Sequence, residues 1–128
     1  MASQGLLAGA GEGKLAVAPN GDVFAAATLD HFGPIVRVRQ DTGEQTPIPS
    51  TSSSYWIGIV FDALREALWV HDGLEGEIQR IDPDTGTVED AIGSGGGTPG
   101  AVALERDGKV LFFSPGARNS DPDLIIRF

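Results

Sequence analysis

Seven side chains have types and neighbours suited to chemistry. Glu12 and Asp72 are carboxylates at the ends of apolar runs. Oxygen donors of that kind suit a divalent cation, calcium or zinc, and both residues are candidate metal ligands. His31 and His71 each stand beside an acid, Asp30 and Asp72 respectively. Imidazole titrates near neutrality, so the two histidines are the candidate catalytic acid and base. Tyr55 and Trp56 are adjacent and could form a stacking platform for a sugar or aromatic ligand, with Asp30 and Asp72 as its polar partners. Each has a structural alternative. The carboxylates could be solvated loop residues, His71 a hydrogen-bonded residue at a strand rim, and Trp56 an anchor for its sheet. The serines at 52–54 read as a flexible loop, because no nucleophile elbow surrounds them.

The elements that must position these groups are short strands. The 128 residues include 18 glycines and 8 prolines, which fall between short apolar runs as turns do between strands. No cysteine is present, which excludes disulfides and thiolate metal sites. The net charge is −9, and Lys14 and Lys109 are the only lysines, so the chain lacks the basic stripe that nucleic acid requires. The start MASQGLLAGAGEG has no basic leader region. No apolar run approaches the roughly 20 residues of a membrane span. The expectation is a cytoplasmic protein with no membrane or nucleic-acid partner.

One strand recurs three times: IVRVRQDTGE from Ile35, IQRIDPDTGT from Ile78 and IIRF from Ile125, starting 43 and 47 residues apart. Such a period marks an array in which each unit is one small sheet. Two strands precede each copy. The first are at 14–18, 57–62 and 100–105, and the second at 23–27, 68–71 and 110–114, the latter reading as covered on both faces. Asn20-Gly21 and Asp107-Gly108 suit tight hairpins, while 63–66 connects the middle pair without glycine. Asp41-Thr42-Gly43 and Asp84-Thr85-Gly86 turn the chain into fourth strands at 45–48 and 88–92. Units at 14–48, 57–92 and 100–128 are thus four-stranded meanders, the last without its fourth strand. Residues 4–9 supply a fourth strand without a unit, the permutation by which a β-propeller closes its ring. The recurring Arg37, Arg80 and Arg127 answer a structural need of every unit, their stems lying on a neighbouring sheet.

Ile78 to Gly86 (IQRIDPDTG), Leu68 to Asp72 (LWVHD) and Gly11-Glu12-Gly13 resemble the six-bladed propellers of the NHL and senescence marker protein/gluconolactonase type. The resemblance implies an all-β half β-propeller of three four-stranded antiparallel blades. It also implies a divalent ion that binds a lactone carbonyl and activates water, with Glu12 matching the metal motif, hence a metal-assisted lactonase as one reading. The family's asparagine ligand has no clear counterpart here, and Lys14 stands where the family carries proline. The other reading is a binding or interaction propeller, with a small molecule held on the face of the long loops.

Three blades leave apolar flanks uncovered. The expectation is a homodimer that forms a six-bladed ring, residues 4–9 of each chain pairing with residues 125–128 of the other, and the alternative is that the chain is a truncated piece of a longer propeller.

Overall fold

In the computed structural model the described residues are 13–27, 33–54, 56–93, 102–105, 107, 110–114 and 124–127. The strand expected at 4–9, together with Glu12, Asp30, His31, Tyr55 and Phe128, lies outside them.

The chain is all-β, with no helix among the described residues. The first sheet joins β1 (Gly13–Val17), β2 (Val23–Ala27), β3 (Val36–Val38) and β4 (Gln45–Pro47) in chain order. The second does the same with β5 (Trp56–Asp62), β6 (Ala67–Asp72), β7 (Glu77–Ile81) and β8 (Val88–Gly93). The third has β9 (Val102–Leu104), β10 (Val110–Ser114) and β11 (Leu124–Arg127). Every pairing is antiparallel, and the arginine register repeats: Arg37 opposite Phe24, Arg80 opposite Trp69, Arg127 opposite Leu111.

Turn chemistry fixes these meanders. In the two Asp-Thr-Gly turns the Gly43 and Gly86 N–H groups donate to the Arg39 and Asp82 carbonyls, at 2.8 Å in each case. Both glycines have φ of 72°, a conformation that costs other residues a clash with their own Cβ. Three turns, the second Asp-Thr-Gly turn among them, are variations on one device. Asp62, Asp72 and Asp82 stand ten residues apart, and each carboxylate accepts the backbone N–H groups two and three residues on. The fifth residue of each turn is left-handed: Glu66 (φ 51°), Gly76 (φ 69°) and Gly86 (φ 72°). Glu66 therefore adopts a glycine conformation without being glycine.

The sheets stack face to face. Phe24, Ala26 and Ile35 of the first meet Ile59, Leu68, Val70 and Ile81 of the second in one core, with Phe61 stacked on Phe24 at 5.6 Å. On the far side of the second sheet, Trp69 and Ile78 form a smaller core with Val102 of the third. Covered on both faces, β6 has no exposed residue. Burying each large aliphatic or aromatic side chain contributes about 1.5–3 kcal/mol, so alternate residues of one strand hold two neighbours in place.

The glycine turns give a stability prediction. Gly43→Ala meets only the backbone penalty, since nothing lies within 4 Å of its added Cβ, and should cost about 1–2 kcal/mol. Gly86→Ala should cost at least about 1 kcal/mol more, because its Cβ would lie 1.8 Å from the Pro49 carbonyl oxygen. Glu66→Gly should stabilise by about 0.5 kcal/mol, relief of strain outweighing the added chain entropy. Urea unfolding of the three variants checks the order.

Candidate functional site

The face carrying the long connections brings together part of the expected set. Trp56 on β5 pairs with Asp72 on β6, and His71 lies next in register, opposite Gly58. The register shifts between Trp56 and Gly58, an irregularity of the kind that re-aims a side chain. The Trp56 indole N–H donates to the Gly33 and Thr51 carbonyls at 3.2 and 3.1 Å. Thr51 is itself buried, accepting from the Ile35 N–H at 2.9 Å and donating to the Ile48 carbonyl at 2.7 Å. Trp56 is thus an anchor that ties the 49–56 connection to the 33–35 segment.

Asp72 is equally committed. Its Oδ1 accepts from the Ser54 hydroxyl and from the Leu74 and Glu75 N–H groups. Its Oδ2 faces the Gln79 amide at 3.5 Å. Ser54 is buried and bonded, unlike the flexible loop that the serine run suggests, while Ser52 and Ser53 are exposed. His71 is fully buried on β6, opposite Ile78. Glu12, Asp30, His31 and Tyr55, the rest of the expected set, lie outside the described residues. Among the described residues no three His, Cys, Asp or Glu side chains converge.

The opposite face, built from the tight turns, holds a cleft of about 540 Å³ between the first two sheets. Phe61, Arg37, Arg65, Glu66, Asp84 and Glu89 contribute to its wall. Both guanidinium groups are already paired. Arg37 Nε and Nη2 donate to Asp22 Oδ2 at 2.9 and 2.8 Å, and its Nη1 reaches Asp84 of the second sheet at 2.8 Å. The same guanidinium lies over the Phe24 ring at 5.4 Å, as that of Arg80 lies over Trp69 at 5.7 Å. Arg65 binds Asp62, whose Oδ2 also accepts the Trp69 indole N–H at 2.9 Å.

These bonds hold three carboxyls below their ordinary value of 3.8. For Asp22 the causes are the Gln40 N–H and then Arg37. For Asp62, burial pushes upward but the bonds from Trp69 and Arg65 prevail. For Asp82 the Thr85 and Asp84 N–H groups act together.

No protein-family model matches the chain, and no curated protein does. Solved structures do. Virginiamycin B lyase from Staphylococcus aureus superposes with a TM-score of 0.63 at 17% identity, over 89% of this chain and 39% of the lyase. The extracellular domain of a protein named as a one-component system from B. thetaiotaomicron gives 0.56 at 17% identity, over 88% of this chain and 16% of the other. The chain therefore spans well under half the length of either. With the stacked four-stranded meanders, these likenesses define a β-propeller-like fold, and at such identity they define the fold alone.

The serine run reads as a flexible loop and so hides the buried role of Ser54, and no pattern in the sequence marks Thr51 or Asp22 as bonded. The ten-residue spacing of Asp62, Asp72 and Asp82 was the available signal for Asp62, since acids at the first position of successive five-residue turns read as turn caps. The depressed carboxyls fix a pH dependence. The stability they add is fully present above 3.8, where the unfolded carboxyls are ionised too, and it is lost as the pH falls through the lowered native values. Urea midpoints measured from about pH 6 down to about pH 2 should fall in that acid range, and Asp22→Asn should make the fall shallower.

Proposed function

We propose that this chain is half of a ligand-binding or interaction propeller, two copies of which complete a six-bladed ring by exchanging residues 4–9 against 125–128. The observation that favours binding over catalysis is the commitment of Asp72. A carboxylate that accepts the Ser54 hydroxyl and two backbone N–H groups is spent on holding loops in place. Rigid sheets that present long connections on one face suit recognition of a small molecule there, with loop residues such as Asp30 and Tyr55 supplying the contacts.

A second reading is favoured by the IQRIDPDTG segment. It is a metal-assisted lactonase or related hydrolase of the gluconolactonase-like kind, with Glu12 and Asp72 as ligands and His71 and His31 as acid and base. The activity named for the Staphylococcus aureus neighbour is not carried over, because 17% identity supports the fold and nothing finer.

Thermal unfolding of the whole chain separates the two. With calcium or zinc added, the melting temperature should stay within about 1 °C of the metal-free value, whereas sugars or aromatic compounds that bind should raise it by linkage. A rise of several degrees with either cation, abolished by Glu12→Gln, would favour the hydrolase instead.

A further inference from the structure

We infer that the open flank of the first blade is a joint that receives the third blade of a second copy of this chain. The proposal rests on the two-copy ring and names the surface that closes it. Leu15 and Val17 on β1 are 67% and 63% exposed, two apolar side chains on one face of the same strand. Their register shows what they are for. Leu15 and Val17 pair with Ala25 and Val23, as Ile59 and Phe61 pair with Val70 and Leu68 one blade later. Ile59 is 7% exposed, and both it and Phe61 belong to the core shared with the first blade. The flank bearing Leu15 and Val17 is therefore built like the flank of the second blade that accepts a preceding blade.

What such a flank accepts is equally defined. The preceding blade presents the large apolar residue that sits opposite its arginine: Phe24 opposite Arg37 for the first blade, and Trp69 opposite Arg80 for the second. In the third sheet, Leu111 opposite Arg127 occupies that position. One chain thus has a donor position in its third sheet and an acceptor flank on its first, and two copies related by a twofold axis satisfy both.

Charge supports the same match. Arg37 crosses to Asp84, two residues before the glycine of the next blade's Asp-Thr-Gly turn. Asp41 holds that place in the first blade's turn, where it is exposed. In register Arg127 corresponds to Arg37, and Asp41 corresponds to Asp84, so the joint would pair Arg127 of one copy with Asp41 of the other.

Light scattering and analytical ultracentrifugation of the full chain test the joint. The wild type should be a dimer, and Leu15→Glu with Val17→Glu should make it a monomer whose far-ultraviolet circular dichroism keeps its strand signal. Should that variant fail to fold, the turn variant carries the test, because Asp41 is exposed. Asp41→Arg should weaken dimerisation about tenfold, two joints each losing a charge pair, and adding Arg127→Asp should recover most of it. A wild-type monomer at every concentration would overturn both the joint and the two-copy ring. A dimer indifferent to these substitutions would overturn the joint alone and leave the ring reading standing.

Discussion

A β-sheet has two faces, and the architecture here follows from the need to cover both. The second blade meets that need within the chain, with the first blade on one side and the third on the other, so every residue of β6 is removed from water. The same requirement explains the alternation along the strand. Leu68 and Val70 serve the larger core, while Trp69 between them serves the smaller one. Hydrophobic burial sets the stacking but has little directional preference. Orientation comes from polar contacts at the rims, where Arg37 joins its own hairpin through Asp22 to the neighbouring turn through Asp84.

Polar groups on the two rims are used differently. On the long-connection rim, Ser54, Thr51 and the Trp56 indole satisfy buried backbone and carboxylate groups, so side chains that look chemically able are consumed by structure. On the tight-turn rim, Arg37 pairs with buried Asp22 and exposed Asp84, Arg65 pairs with buried Asp62, and the exposed acids Glu66 and Glu89 also line the cleft. The fold is common to propellers of many activities, so the chemistry must come from the connections that each chain hangs on it.

Much of the scaffold was legible in the sequence because its signals are local. The run Leu68 to His71 reads as a strand covered twice, and it is. Asp41-Thr42-Gly43 and Asp84-Thr85-Gly86 read as hairpin turns, and both adopt one geometry. The 63–66 connection was harder, for it lacks glycine yet follows the geometry of its neighbours by forcing Glu66 into a left-handed conformation. The candidate site was legible only as a shared rim. That Trp56 and Asp72 face each other depends on β5 and β6 pairing, and that both are buried depends on packing from residues far away in sequence. The Arg37 partnership with Asp84 spans 47 positions and belongs to stacking, which no local pattern encodes.

The even spacing of Asp62, Asp72 and Asp82 has an evolutionary corollary. A chain measured out in equal lengths, each one strand plus one capped corner, is intolerant of odd changes. A single residue inserted within β6 or β7 would send every side chain beyond it to the wrong face, exchanging the two cores. Gain or loss of whole lengths preserves facing, and drift in size is otherwise confined to the connections on the open rim. Diversification in such a protein is therefore channelled toward the surface most free to acquire a new recognition specificity.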